Sequence, residues 1–360
     1  MWADRRFLDL AGIEHPIVQA PMAGAMDHEM VIAVSEAGGL GSLPCAMLTP
    51  ETARAQLELI RLRTSRPINV NFFCHTPPQR DSAREQAWKA RLAGYYRELG
   101  LDIDAPQSGR GRAPFDEQMC ALVEKYRPRI VSFHFGLPDP QLLARVKAAG
   151  CLVVSSATTV AEALWLEERG CDAIIAQGYE AGGHRGMFLV NDIATQSGTL
   201  ALVPQVADAV KVPVIAAGGI ADARGIVAAF ALGAAAVQIG TAYLFCPEAK
   251  ISPAHLAALR AARDDATALT NVITGRPARG ILNRIMREVG PISADAPAFP
   301  LAAGAIAPLR ARAEANGSGD FSPLWSGQAA ALCRELAAAD LTRALAQEAL
   351  ARVAATARTL

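Results

Sequence analysis

A short glycine-rich segment contains the residues of this chain that are best suited to chemistry. The sequence AGGHRG at positions 181–186 follows the apolar run 173–177, whose composition predicts a buried strand. Glycine lets the backbone approach a ligand closely, and histidine is the side chain whose ordinary pKa lies nearest neutral pH. His184 is therefore a candidate general base at the edge of a ligand site. The alternative is a surface turn in which this histidine has no role.

Eight short apolar runs recur along the chain, and helical patterns separate most of them. The runs are continuous rather than alternating, which is typical of parallel strands covered on both faces. They occupy positions 17–22, 40–44, 68–73, 130–135, 152–157, 173–177, 212–217 and 235–239. Several helical patterns end at a glycine, for example Gly150, Gly170 and Gly233. This alternation predicts the α/β class and a (β/α)8 TIM barrel, with an open doubly wound sheet as the alternative.

Two segments are longer than the usual connections of a barrel. Residues 76–129 contain helical patterns and a loop rich in Gly, Pro and Arg at 106–114. Residues 243–323 follow the eighth predicted strand and contain further helical patterns. We therefore predict that residues 1–242 and 324–360 form the barrel. We expect residues 243–323 to form a helical lobe on its C-terminal edge, where the lobe would cover the substrate.

Composition excludes several classes of partner. The chain has 360 residues, 51% of them hydrophobic, and its 35 basic and 35 acidic residues give a net charge of zero, so no nucleic-acid partner is predicted. The seven cysteines form no C-x-x-C pair, which predicts reduced core thiols and no metal site.

The charged start lacks the apolar stretch of a secretory signal. The uncharged segment 225–247 is interrupted by Gly233 and Gln238, which favours a helix and a strand over a membrane span. We expect a cytoplasmic protein with no membrane partner.

Functional residues of a barrel gather where its strands end. Here the strand ends carry amides, glycines, a hydroxyl and two histidines, and such groups suit a neutral heteroaromatic ring. Gly218-Gly219 and Gly240-Thr241 follow the seventh and eighth predicted strands, where barrels commonly bind phosphate through backbone N–H groups. The alternative is that these glycines only permit tight turns. No G-x-G-x-x-G motif follows the first strand, which argues against a Rossmann dinucleotide site.

Several motifs follow one another along the chain: QAPMAG at 19–24, AGGLG at 37–41, SFHFG at 132–136, QGYEAGGHRG at 177–186, AAGGI at 216–220, QIGT at 238–241 and WSGQ at 325–328. Together they resemble the motifs of the nitronate monooxygenase family, formerly called 2-nitropropane dioxygenases, and the form EAGGHRG resembles its class I branch. The likeness runs in order from about position 17 to position 328. It implies an FMN-dependent (β/α)8 enzyme that oxidises alkyl nitronates with O2 and releases a carbonyl compound and nitrite.

The resemblance also assigns roles to individual residues. It gives His184 the role of catalytic base. The positions that match flavin-binding residues are Pro21, Met22, Ala23, Asn71, Gln177, Gly182, Gly218, Gly219, Gln238, Ile239, Gly240, Thr241, Ser326 and Gln328. A neutral His184 would remove the proton from the carbon that bears the nitro group, and the flavin would then accept an electron from the nitronate. A substrate that arrives as a nitronate would instead be oriented by His184.

His134, at the end of the fourth predicted strand, has two open interpretations. It could hydrogen-bond the nitro oxygens of the substrate, or it could be a core histidine packed between Phe133 and Phe135.

The resemblance leaves three functions open. The first is oxidation of a small nitronate or nitroalkane, such as propionate 3-nitronate, by O2 as a detoxifying activity of a monomer or homodimer. The second is an FMN-dependent NAD(P)H reductase that acts on an enoyl thioester or a quinone. The third is a flavin-binding module with no catalysis of its own.

Overall fold

The computed structural model describes residues 2–105 and 112–356, and its main feature is the predicted barrel. Within these residues the strands are β1 (Ile17–Gln19), β2 (Gly41–Pro44), β3 (Ile68–Phe73), β4 (Ile130–His134), β5 (Leu152–Ala157), β6 (Ala173–Gln177), β7 (Gly183–His184), β8 (Val214–Ala217), β9 (Ala236–Ile239), β10 (Thr267–Thr270) and β11 (Ala278–Ile281). Eight of them pair in parallel in the order β1-β9-β8-β6-β5-β4-β3-β2. A bridge between Val18 and Leu40 closes the ring. The prediction of a (β/α)8 barrel is confirmed.

The helices of the described residues surround this barrel or extend beyond it. They are α1 (Arg6–Ala11), α2 (His28–Glu36), α3 (Pro50–Arg63), α4 (Ser82–Glu98), α5 (Glu117–Tyr126), α6 (Pro140–Ala148), α7 (Val160–Glu168), α8 (Thr199–Ala209), α9 (Ala223–Ala231), α10 (Pro253–Ala261), α11 (Arg284–Glu288), α12 (Ala302–Ala315) and α13 (Ala338–Thr356). Many begin at a side chain that accepts a hydrogen bond from a backbone N–H of the first turn, as Asp27, Thr49 and Asp222 do.

The main hydrophobic core lies between the strands and the surrounding helices. Val131, Val153 and Ile174 are fully buried in it, because both faces of each strand are covered. The last helix, α13, packs against α2 and α9, and the hydroxyl of its Thr342 lies 2.8 Å from the hydroxyl of Tyr243. The chain thus forms a closed wall at the point where its first and last barrel strands meet.

A second layer of structure stands on the barrel and differs in part from the prediction. The segment 243–323 contains α10, α11 and α12, but also β10 and β11, which form an antiparallel sheet with β7. Helix α4, from the 76–129 segment, packs on α12, and the Tyr96 hydroxyl donates to the carbonyl of Ala305 at 2.7 Å. The division of the chain into barrel and lobe stays a prediction. Most of the predicted loop 106–114 lies outside the described residues.

The uncharged segment 225–247, which could have been mistaken for a membrane span, contains most of α9 and all of β9. No helix in residues 2–105 and 112–356 combines the length and the apolar character that a membrane crossing requires.

Candidate active site

A cavity opens at the carboxyl ends of the barrel strands. Of the predicted site residues, Pro21, Met22, Ala23, Asn71, His134, Gln177, Gly182, His184, Gly218, Gly219, Gln238, Gly240, Thr241 and Ser326 line it. Two do not. Ile239 is fully buried in the core between strands and helices, and the Gln328 side chain is exposed, while its backbone N–H donates to the Glu180 carbonyl at 3.1 Å. The β-strand ends therefore bring most of the predicted residues to one place.

Side-chain amides form part of the cavity wall. The Asn71 Nδ2 group donates to the hydroxyl and carbonyl oxygens of Ser132, at 2.9 and 3.2 Å. The buried Oε1 of Gln238 has no hydrogen-bond partner in the described residues. A buried acceptor without a partner costs free energy. Gln238 as a residue lines the cavity, so rotation of its amide would present this acceptor to a ligand that offers an N–H group.

Gln177 is predicted to bind a cofactor, and in the structure its side-chain amide also hydrogen-bonds the backbone of the segment after β6. The Nε2 group donates to the carbonyl of His184 at 3.0 Å, and Oε1 accepts from the N–H of Gly186 at 2.7 Å. The side chain therefore holds the segment after β6 in place, and one N–H of the amide remains free of these two bonds.

After β8 and β9, glycines leave the backbone next to these amides uncovered by side chains. Gly218 and Gly219 have φ angles of +115° and +69°, which other residues rarely adopt. A side chain at Gly240 would contact only Ala20 Cβ at 3.4 Å and Met22 Sδ at 3.8 Å. The cavity is thus open at Gly240, and a ligand can approach the backbone there closely.

His184 is positioned by hydrogen bonds on both its backbone and its ring. It lies in β7, where it pairs with Ala278 of β11. Its carbonyl accepts from Gln177 and from His134 Nε2, the latter at 3.2 Å. Its ring Nε2 lies 2.9 Å from the Thr274 hydroxyl. Within the described residues Nδ1 has no hydrogen bond, so this nitrogen remains available to a substrate.

Aromatic side chains surround the His184 ring. The ring centres of Phe299, Trp325, Phe135 and Phe73 lie 5.2, 5.5, 6.0 and 6.2 Å from it. These rings exclude water from one side of the histidine, and two of them, Phe73 and Trp325, line the cavity.

Burial and positive neighbours set the protonation state of His184. Burial lowers its pKa well below the ordinary value of 6.5, and the charges of Arg112 and Arg276 lower it further. The guanidinium of Arg276 stacks over the Phe135 ring at 4.0 Å. His184 is therefore unprotonated at neutral pH, which is the form that a general base requires.

His134 lines the cavity, and protein groups engage both nitrogens of its ring. Its Nδ1 lies 2.6 Å from the Ser156 hydroxyl, and its Nε2 is bonded to the His184 carbonyl. A carbonyl only accepts, so Nε2 carries the proton and the serine donates to Nδ1. Burial lowers the pKa of His134 to about 3. Both ring nitrogens are occupied, and His134 holds the backbone of His184 in place.

Arg185 supports the site although no sequence pattern marks it. This side chain is fully buried and donates to the carbonyls of Gln177 and Gly178 and to the Gln196 side chain, the last at 2.9 Å. Burial lowers its pKa to about 10, so the guanidinium stays charged at neutral pH. Arg185 fixes the turn that carries the neighbouring histidine.

The arrangement defines a class of protein: a (β/α)8 barrel with a ligand cavity of amides, glycines and an unprotonated histidine at its C-terminal edge. No group of three or more His, Cys, Asp or Glu side chains in residues 2–105 and 112–356 is placed to hold a metal ion.

Similarity to known proteins identifies the family. The family model of nitronate monooxygenases matches residues 4–348. A nitronate monooxygenase of Pseudomonas aeruginosa is 43% identical over 345 residues, which cover 95% of this chain and 98% of that protein. A probable nitronate monooxygenase of Bacillus subtilis is 37% identical over 95% of this chain and 98% of its own length. The chain belongs to the nitronate monooxygenase family, which is a family of flavin enzymes.

Solved structures agree with this assignment. A nitroalkane oxidase from Streptomyces ansochromogenes superposes with a TM-score of 0.89 at 37% identity and covers 98% of this chain and 99% of its own. FabK from Thermotoga maritima is more distant, with a TM-score of 0.74 at 28% identity over 99% of both chains. The protein is therefore an enzyme, and its family supports the oxidation of nitronates.

Proposed function

We propose that this enzyme uses FMN and O2 to oxidise small alkyl nitronates to a carbonyl compound and nitrite. The observation that carries the proposal is the shared cavity of His184, Gln238 and Gly240. It combines an unprotonated base, a buried acceptor without a partner and a bare backbone. A histidine at a surface turn would have none of these neighbours.

The residues of the cavity fit a flavin. The unpaired Gln238 Oε1 suits a ring N–H, and Gly240 leaves space beside Ala20 and Met22. The backbone at Gly218 and Gly219, with helix α9 beginning four residues later at Ala223, would hold the phosphate. When bound, a flavin supplies the electron acceptor for the nitronate and the means to react with O2.

His184 would act on a neutral nitroalkane as a general base through Nδ1. The Thr274 hydroxyl lies 2.9 Å from Nε2 and 3.5 Å from the Arg276 carbonyl. It can accept from Nε2–H while it donates to that carbonyl, and this arrangement leaves the lone pair on Nδ1. A preformed nitronate needs no proton removal, and the positive charge of Arg276 nearby favours such an anion. We therefore expect nitronates to be the better substrates.

The function is tested by nitrite release. The purified protein, loaded with FMN, is incubated in air with the nitronate of nitroethane, and nitrite is measured against free FMN. The proposal expects nitrite well above that background, and nitrite at the background level would remove it. The same preparation is mixed with NADH without oxygen, since rapid bleaching of the flavin would favour the NAD(P)H reductase. A flavin protein inert in both assays would favour a non-catalytic binding module.

Cofactor binding is tested separately with Gly240→Ala. The new methyl group meets no protein atom closer than 3.4 Å, so the fold should be retained, but it occupies cavity space that we assign to the flavin. We expect a weaker affinity for FMN at an unchanged unfolding temperature, measured by fluorescence titration and calorimetry. Gly94→Ala, on α4 outside the cavity, with no atom within 4 Å and no positive φ, serves as the control for changes at a glycine.

A further inference from the structure

A small internal cavity lies inside the barrel, next to the candidate active site. Ile175 and Gln238 line both the internal cavity and the active-site cavity, so the two are neighbours. The other walls of the internal cavity are mostly apolar and include Phe7, Val18, Leu40, Ile130, Val154 and Ile215. Its volume is about 10 Å³, which is enough for one water molecule.

Two residues on this internal cavity each have a buried side-chain oxygen without a hydrogen-bond partner among the residues that the structure describes. These atoms are Oδ1 of Asn69 and Oε1 of Gln238. Asn69 is only 2% exposed, and its Nδ2 group already donates to the Ser42 hydroxyl at 3.0 Å. A buried acceptor without a partner costs free energy. In proteins such atoms are commonly satisfied by a buried water that has two to four polar partners.

Ser132 provides a third polar group on the internal cavity. Its hydroxyl accepts from Nδ2 of Asn71 at 2.9 Å, and it has a proton and a second lone pair for a further hydrogen bond. Asn71 follows Asn69 by two residues on β3, so both side chains lie on the same face of the strand. Asn71 lines the active-site cavity, whereas Asn69 lines the internal one. The polar groups of the internal cavity are thus directly connected to the predicted flavin site.

We propose that the internal cavity binds one water molecule that joins Asn69 to Gln238, and that Asn69 is thereby a positioning residue for the flavin site. When Gln238 turns Oε1 towards a flavin N–H, its Nε2 group faces inward and needs an acceptor. The water accepts from Nε2 and donates to Oδ1 of Asn69. Donation to Asn69 makes the water a better acceptor, which favours this orientation of the Gln238 amide. The effect on FMN rests on the proposed function, whereas the water site depends on protein side chains alone.

The water site is tested by crystal structures of the protein, with and without FMN, at a resolution that shows ordered water. We expect one water within hydrogen-bond distance, about 2.7–3.2 Å, of the side-chain amides of both Asn69 and Gln238. The water should be present in both forms. Clear density for the two amides with no water between them in either form would overturn the proposal.

The positioning role is tested with Asn69→Leu, because leucine is similar in size to asparagine and removes the acceptor. We expect FMN to bind about 2- to 12-fold more weakly, since one hydrogen bond that supports Gln238 is lost, and we expect the absorbance maxima of the bound flavin to shift. Asn69→Thr keeps a hydroxyl that can accept from the water, and it should restore part of the affinity.

Ser35→Ala is the matched control for the loss of a buried hydrogen bond. The Ser35 hydroxyl donates to the Pro67 carbonyl at 3.1 Å and accepts from the N–H of Gly41 at 3.2 Å, and Ser35 lines neither cavity. This variant should lower the unfolding temperature and leave the affinity for FMN as it is.

The affinity for FMN is measured by fluorescence titration, and the unfolding temperature is recorded for each variant. A loss of affinity in Asn69→Leu no greater than in Ser35→Ala would overturn the positioning role. If Asn69→Leu does not fold, the crystal structures of the unmodified protein decide the proposal. Failure of the unmodified protein to retain FMN would instead overturn the proposed function, and the structure without FMN would still test the water site.

Discussion

Replacement of His184 by asparagine separates the two roles that this residue could have. Asparagine removes the basic ring nitrogen and keeps a polar side chain. The backbone carbonyl of residue 184 would still accept from Gln177 and His134, so the local backbone should be retained. The variant should therefore bind FMN and fold normally. A neutral nitroalkane needs a base, whereas a preformed nitronate does not.

The structure sets the expected size of each effect. Loss of a positioned general base costs about 10²- to 10⁴-fold in rate, and this applies to the neutral nitroalkane. Loss of one hydrogen bond to a preformed nitronate costs about 0.5–1.5 kcal/mol, or about 2- to 12-fold. The ratio of the two activities should thus change by at least about tenfold. Because burial and positive neighbours hold the pKa of His184 well below 6.5, the parent enzyme should keep its full base activity near pH 7.

The assay measures nitrite release from nitroethane and from its preformed nitronate, with FMN-loaded parent and variant at equal flavin content. Fresh dilution of each stock limits conversion between the two forms. If the variant loses the same factor on both forms, or keeps full activity on the neutral form, proton removal by His184 is wrong.

Three further predictions, made with four substitutions, test the supports of the site. Thr274→Val removes the hydroxyl beside His184 and should lower kcat on a neutral nitroalkane by about 2- to 10-fold, because the ring loses the partner that fixes its tautomer; steady-state rates at several pH values measure this. Gly182→Ala places a methyl 2.5 Å from a backbone nitrogen, whereas Gly183→Ala meets no atom within 4 Å and has only its φ of +72° as strain. Gly182→Ala should therefore destabilise the protein more than Gly183→Ala does. For Gly183→Ala we expect the free energy of unfolding to fall by about 1 kcal/mol, and thermal unfolding measures both variants. Arg185→Met leaves buried carbonyls without donors and should reduce the free energy of unfolding by about 2–4 kcal/mol in urea titrations.

The barrel was predictable because buried parallel strands require continuous apolar runs. Each of the eight predicted runs contains a barrel strand, and 68–73, 152–157 and 173–177 match at both ends. The strands β10 and β11 were not predicted. Their sequences, TALT and ARGI, lack a clear apolar alternation, and β11 is held by its pairing with the segment around His184. Such tertiary pairing has no local signal in the sequence.

The candidate site was predictable to the extent that it lies at strand ends. Residues such as Asn71 and Gln238 come together because parallel strands end at the same edge of the barrel. Thr274, Phe299 and Arg112 approach from connecting segments far away in sequence, and no nearby motif marks them. His134 shows a second limit, since its hydrogen bonds to Ser156 and to the backbone cannot be seen in the sequence alone.

The central claim is that one flavin occupies the cavity at the strand ends, beside His184. The measurement that tests it most directly is the absorbance spectrum of the purified protein after incubation with FMN and removal of the free cofactor. The account predicts a yellow protein that retains one FMN per chain, with a spectrum that changes when a nitronate is added without oxygen. A colourless protein that retains no FMN after this treatment would contradict it.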